Sequence, residues 1–321
     1  MDYIVTQNTN EIRSNDIVVD STFSGNIECV RIDHHVDNCM TNIDSIYRAF
    51  HNGIKFINPP ERVITSTLDT DSIISAAIID MLLSGELKSI NKELLNTNIF
   101  KILYSSCFWC DYNLGFDKFD DEINRIGELL DLYIRQELQI NIGLSYREKT
   151  AVREQNQIFA KQIEKVKTLI KRGKIPLHIL EFPREEVYKE IRLIAEKCII
   201  TEAPESKIIG YIRTPDNEHL LPRVYFGLFK QPLIGRITYL DNDELSILIG
   251  INPISLDNWE NIDLTKLAEI LNRENVAFDF SGRKNVIRTR FSGNIDDLYK
   301  SLANINIEEL YDNKELFTVY K

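Results

Sequence analysis

Short apolar runs bounded by Asn, Asp, Ser or Gly open the chain: YIVT at 3–6, DIVVD at 16–20 and ECVRID at 28–33. β-Branched residues at this length, with turn formers on either side, predict three strands. The period then changes. NIDSIYRAF (42–50) has helical spacing, ERVITST (61–67) reads as a buried strand, and DSIISAAIIDMLLSG (71–85) carries Ile73, Ala76, Ala77 and the mostly apolar run Ile78 to Leu83 over a helical length that Gly85 stops. IFKILYSS (99–106) is predicted as a further strand and FDDEINRIGELLDLYIRQEL (119–138) as an amphipathic helix.

A long charged helix is expected over 145–172, ended by Gly173 and Pro176. Beyond it, strands (KIIGYIR, PLIGRITYL, ELSILIGI, NVIRTRF) mix with helices (PREEVYKEIRLIAEK, DLTKLAEILNRE, NIDDLYKSLA) at spacings that suit antiparallel pairing. Strands separated by helices in the first half need parallel pairing, since a crossover takes about a dozen residues. The expected fold is therefore α/β: a layered, mostly parallel sheet with helices over 1–144, a linking helix over 145–174, and a smaller α+β domain over 175–321.

Composition agrees with a folded globular protein. The chain has 321 residues, 43% hydrophobic and 27% charged, a length that exceeds one ordinary core. Its net charge of −11 argues against tight binding of long duplex nucleic acid, which depends on neutralising phosphates. No stretch is long and apolar enough for a membrane span, and MDYIVTQNTNEIRSND lacks the basic start and apolar run of a secretion signal, so a cytoplasmic location away from membranes is expected. Five cysteines form no disulfide framework, and Cys107 and Cys110, although spaced as CxxC, end an apolar stretch and read as core thiols.

Candidate chemistry gathers at strand ends, where parallel sheets bind ligands. In LDTDSIISAA, Asp69 and Asp71 follow a strand and precede a helix. An Asp here is a good N-cap, and two acids in an extended D-x-D also suit a hard cation, so capping and metal binding both stand. In VRIDHHVDN, Asp33, His34 and His35 follow another strand, and a metal site competes with a hydrogen-bonded surface turn. Asp111 is expected at the end of the strand beginning at IFKILYSS. In the second domain Arg283, Lys284, Arg288 and Arg290 crowd SGRKNVIRTRFSG, and Arg288 and Arg290 share one strand face. Guanidinium forks suit phosphate, while exposed charges also protect sheet edges. Arg213, His219 and Arg223 form a similar cluster that reads as a surface loop.

The pair IDHHVDN and LDTDSIISA resembles the signatures of the DHH phosphoesterase superfamily over about the first 120 residues. The resemblance implies that Asp69, Asp71, Asp111 and His34 bind metal, that His35 contacts a substrate phosphate, and that Asp33 orients the imidazole. Mixed carboxylate and imidazole ligands suit Mn²⁺ or Co²⁺, with Mg²⁺ as the harder alternative. The implied function is a metal-dependent phosphohydrolase of a small phosphorylated compound or short nucleotide. Three departures matter: the two motifs run in reversed order, Thr65 and Ser72 stand where the family commonly has His and Gly, and its glycine-rich segment is absent. These features motivate a second reading, a phosphate- or nucleotide-binding regulatory protein on a permuted or degenerate scaffold. A third reading is a homodimer formed through the helix at 145–172, with the acids serving only as caps and turns.

Overall fold

The structure, a computed structural model, describes residues 1–21, 23, 29–56, 58–138, 152–200, 208–213, 222–239, 244–256, 259–273, 278–292, 295–312 and 317–320. They group into two compact units, the first of which also takes in the last few residues of the chain.

The first unit runs β1 (Asp2–Val5), β2 (Ile17–Val19), β3 (Val30–Ile32), α1 (His34–Asp37), α2 (Asn42–His51), β4 (Arg62–Thr65), α3 (Thr70–Leu83), α4 (Lys92–Leu95), α5 (Asn98–Tyr112), α6 (Asp121–Glu137), α7 (Val152–Arg172) and α8 (Leu177–Leu180). Its four strands are all parallel in the order β1-β4-β2-β3. Val18, Val19, Ile32, Val63 and Ile64 are wholly buried, as strands of a sheet covered on both faces should be. Parallel pairing aims every carboxyl end the same way, so residues after β2, β3 and β4 meet at one edge. β4 sits between β1 and β2, and chain order therefore does not decide which loops become neighbours.

IFKILYSS is helical, in α5, and not a strand. A stretch of eight residues with five apolar positions is ambiguous in period. Over the longer window the buried residues Ile99, Phe100, Leu103, Tyr104, Cys107 and Phe108 recur every three to four positions, which is the helical repeat. Asp111 consequently lies in the last turn of a helix, with Asn113 in the left-handed conformation at its C-cap. Cys107 is buried and Cys110 half-buried in that helix, both as free thiols.

The long helix departs from the expected linker. The part of 145–172 before Val152 lies outside the described residues, and α7 packs on α3 and β1. Its apolar stripe of Phe159, Ile163, Val166 and Leu169 is buried within the chain, and Lys167 donates to Asp80 at 2.6 Å. Asn156 on α7 accepts from the backbone N–H of Val5 at 2.7 Å, which covers the open edge of β1. That stripe presents no apolar face to a partner copy.

The second unit contains most of α9 (Arg184–Cys198), then β5 (Ile209–Arg213), α10 (Pro222–Tyr225), β6 (Leu233–Tyr239), β7 (Glu244–Ile251), α11 (Leu264–Arg273), β8 (Phe278–Arg283), β9 (Val286–Ser292) and α12 (Ile295–Ala303). Its sheet has the order β5-β6-β7-β9-β8, antiparallel except for the parallel pair of β5 and β6. The whole molecule is thus two-unit α/β. Among the described residues no helix is long and apolar enough to cross a membrane.

The last described residues, Phe317–Tyr320, return to the first unit. Phe317 forms a parallel bridge with Cys39, taking a 3.0 Å hydrogen bond from Met40 N–H and donating one of 3.1 Å to Asn38 O. Asp44, buried at the start of α2, holds this tail: it accepts from Val319 N–H at 2.7 Å and from Tyr104 O–H at 2.8 Å, besides closing a capping box with Thr41. Burial pushes the Asp44 carboxyl up to about 6. Replacing Asp44 by Ala strips several donors of their acceptor at once. The expected loss is about 3 kcal/mol of stability, with faster amide exchange at Phe317–Tyr320, measured by denaturant unfolding and hydrogen exchange.

Candidate metal centre

Three strand ends and one helix end build the site. After β2, Asp20 has φ of 40°, in the left-handed region that Asp tolerates better than most residues. Thr65 at the end of β4 donates its hydroxyl to Asp20 O at 3.0 Å, tying the two strand ends together. After β3, Asp33 is the N-cap of α1, with Oδ1 accepting from His35 N–H at 3.0 Å. Its Oδ2 accepts from Ser21 N–H at 3.0 Å, from the Ser21 hydroxyl at 2.9 Å, and from the Arg31 guanidinium at 3.2 and 3.1 Å. Asp33 therefore fixes the backbone that carries the histidines and pins it to the segment after Asp20. Asn42 completes the brace by accepting from His34 N–H at 2.8 Å.

His34 stands at the centre. Its Nε2 lies 3.4 Å from Asp111 Oδ2, 3.6 Å from Asp71 Oδ2 and 3.8 Å from Asp20 Oδ1. His35 Nε2 lies 3.1 Å from the same Asp20 oxygen, and the two imidazoles are 3.8 Å apart between centroids. Two sets of donors, Asp20 with His34 and His35, and His34 with Asp71 and Asp111, each fall within 4.8 Å. Asp69 lies outside both sets. Its carboxylate caps α3 by accepting from Ser72 N–H at 3.0 Å, and Ser72 returns the bond to Asp69 N–H, so Ser72 has a capping task where the family pattern has Gly.

The electrostatics follow from crowding. Burial, and then the Asp111 charge, hold the Asp71 carboxyl well above the usual carboxylate range; burial and then Asp20 do the same to Asp69. Burial alone would raise Asp20 too, but hydrogen bonds with His34 and His35 outweigh it and hold Asp20 below that range. Asp71 Oδ2 is buried without a hydrogen-bond donor. Three carboxylates and two imidazoles fit a divalent cation in kind. Two donors on one ion with bonds of about 2.1 Å at ordinary angles stand ~3.0–3.4 Å apart; the His35–Asp20 and His34–Asp111 pairs, at 3.1 and 3.4 Å, match this, and those of His34 with Asp71 and Asp20, at 3.6 and 3.8 Å, are a little longer.

Beneath the site, α6 ties two of its supports together. Asp131 accepts from Thr70 Oγ1 at 2.6 Å and from Arg135 Nε at 3.0 Å, while Arg135 reaches Cys110 O at 3.4 Å. The helix starts and ends carrying Asp71 and Asp111 are thus held by one buried ion pair. α6 approaches closely because Gly127 faces Ser105, where a Cβ would come within 2.5 Å of the hydroxyl oxygen.

Asp20 was not among the residues singled out from sequence, although an acid directly after the buried run IVV occupies the same strand-end position as Asp33. In the second unit Arg288 and Arg290 are exposed on one face of β9, between buried Ile287, Thr289 and Phe291. Arg288 donates to Ser246 at 2.9 Å and Arg290 pairs with Asp279 at 3.2 Å. Lys284 is half-buried in the β8–β9 turn; the side chain of Arg283, and His219, lie outside the described residues.

No family model matches the chain, and no curated protein does. Among solved structures, it is similar to a pGpG-specific phosphodiesterase, PggH, from Vibrio cholerae, at 12% identity over 90% of this chain and 97% of that one, with a TM-score of 0.41. It is also similar to the DHH domain of a protein described as belonging to a family of ribosomal proteins, at 11% identity, 85% and 67% coverage and a TM-score of 0.35. A third is CDC45 from Entamoeba histolytica, at 12% identity, 86% and 57% coverage and a TM-score of 0.27. Likeness at these scores bears no weight beside the geometry of the cluster.

A pH dependence follows. Asp69 and Asp71 have raised carboxyls in the fold, so their contribution to stability is present below the unfolded value near 4 and is lost as pH rises through the higher folded values. A cation requires the ionised forms and offsets that loss. Mn²⁺ should therefore raise the melting temperature by several degrees at about pH 7.5, and much less at about pH 5. Thermal unfolding with Mn²⁺ or EDTA checks this; equal rises at both pH values contradict it.

Proposed function

We propose that the chain is a divalent-metal-dependent phosphohydrolase of a small phosphorylated compound or short nucleotide, of the DHH type that its motifs resemble. The observation that carries this reading is the convergence of Asp20, His34, His35, Asp71 and Asp111 at one edge of a parallel sheet. Mn²⁺, the cation best matched to this donor set, supplies Lewis-acid chemistry when bound: it acidifies water and neutralises charge on phosphoryl oxygens.

The chain's own residues divide the remaining work. His34, Asp20, Asp71 and Asp111 are the ligands, and Asp69, beside them, contributes negative charge while holding the first turn of α3. His35, at the outer side of the cluster with 17% of its side chain exposed, is placed to meet a substrate phosphate. Asp33 positions His35 through its backbone N–H, and Asn42 does the same for His34. In the second unit, the exposed Arg288 and Arg290 share one face of β9 beside Lys284, and their forked guanidinium groups suit phosphate. The ion pair of Arg290 with Asp279 is exposed on both sides and is no obstacle to exchange for a phosphate.

The substituted family positions have structural employment: Thr65 ties β4 to Asp20, and Ser72 caps α3. The second reading, a regulatory protein without turnover, then rests on the absent glycine-rich segment.

The test is release of phosphate or mononucleotide in the presence of Mn²⁺, over a panel from pyrophosphate to dinucleotides such as pGpG. Turnover of at least one member is expected, with Asp71→Asn and His34→Ala each lowering kcat/KM by about a thousand-fold or more. Asp20→Asn should have an effect of similar size. Thermal stabilisation by the panel compounds without turnover would replace the hydrolase with the regulatory reading.

A further inference from the structure

A cavity of about 720 Å³ opens in the first unit between α2, α4, α5 and the returning tail. Among the described residues its lining contains Arg48, His51, Lys92, Lys101 and Lys118 and no carboxylate, in a protein with 49 acidic and 38 basic residues. Arg48 is occupied: it lies 4.4 Å over the Phe317 ring and donates to Asp37 O. Lys118 is exposed and pairs with Asp117 at 3.1 Å. Lys92 and Lys101 have no ion pair among the described residues, whereas Lys165, Lys167 and Lys171 on α7 all do. Like charges gathered around a concave wall without acids focus a positive potential, and an anion relieves their repulsion.

The lining also carries aromatic side chains. Tyr47 and His51 stack at 5.3 Å with 10° between their planes, and Phe119 and Phe317 are further aromatic lining residues. Asn52 and Asn96 add amides able both to donate and to accept. We propose that this cavity is a second ligand site, distinct from the metal centre, which takes a nucleotide with its phosphates on Lys92 and Lys101 and its base against the aromatic side chains. The volume is in the range of small-molecule sites, and a ring face with adjacent hydrogen-bonding amides suits a base better than a bare phosphate or an alkyl chain.

The tail links the cavity along the chain to the segment beyond α1. Phe317–Tyr320 forms one wall, and Phe317 is bridged to Cys39, two residues beyond α1 with its histidines. A ligand in the cavity braces this tail, and through it the end of α1.

The proposal does not rest on the hydrolase reading, and its test separates the two. Binding of ADP, pyrophosphate and adenosine is measured by calorimetry in EDTA, where the metal centre is emptied, and again on Asp71→Asn. ADP should bind in both cases, at least about ten-fold more tightly than pyrophosphate or adenosine. Lys92→Glu combined with Lys101→Glu, at exposed and half-buried positions, should weaken ADP by a further ten-fold or more while leaving Mn²⁺ stabilisation intact. Amide exchange at Phe317–Tyr320 should slow when ADP is added. Undetected ADP binding at millimolar concentration, equal binding of pyrophosphate and ADP, or binding unaffected by the double variant would each overturn the assignment.

Discussion

Three buried carboxylates crowd one imidazole, and the first unit is arranged to tolerate that repulsion. Asp20, Asp71 and Asp111 stand within 3.8 Å of His34 Nε2, with Asp71 wholly buried and the others nearly so. Burial and the neighbouring Asp111 charge hold the Asp71 carboxyl above the usual carboxylate range, and such a site favours either a proton or a cation. Everything nearby acts to prevent the cluster from relaxing apart. Thr65 holds the strand end at Asp20, Asp33 and Asn42 hold the backbone of the histidines, and the Asp131–Arg135 pair on α6 holds the helix ends that present Asp71 and Asp111.

Such bracing distinguishes a binding site from an accident of polar turns. A hydrogen-bonded surface turn has no need of buried supports, and its acids would swing into water. Here the acids lie at the carboxyl edge of a parallel sheet, where loops from non-neighbouring parts of the sequence meet. The tail contributes from the opposite end of the chain: by pairing with residues 38–40 it closes the segment just beyond α1. Asp44, kept buried by its donors from the tail, Tyr104 and Thr41, makes this closure depend on one carboxyl.

The legible parts of the sequence were those where a local pattern had one physical solution. Strands bounded by turn residues, the apolar helix after the D-x-D, and the strand-end location of Asp33, His34 and Asp71 all follow from short-range rules. Asp111 shows where such rules end: IFKILYSS fits a strand and a helix equally until the repeat is followed to Phe108, and the acid changes from strand end to helix end. Asp20 has the same local signature as Asp33 but no neighbouring histidine to draw attention to it, and only strand order brings it to His35. The separation of Asp69 from Asp71 is likewise a matter of local geometry, since both are acids near a helix start and only one is spent on capping. The return of the tail from residue 317 to residue 39 is a long-range pairing, and nothing in either segment announces it.

With β4 lying between β1 and β2, the loop carrying Asp71 adjoins the one carrying Asp20, and the DHH segment follows from the neighbouring β3. The most direct measurement is an anomalous difference map from crystals soaked in Mn²⁺. A peak within coordination distance of His34 Nε2 and the carboxylates of Asp20, Asp71 and Asp111 is the result this account predicts. A fully soaked crystal with no peak at these side chains, or with Mn²⁺ bound only elsewhere, would contradict it.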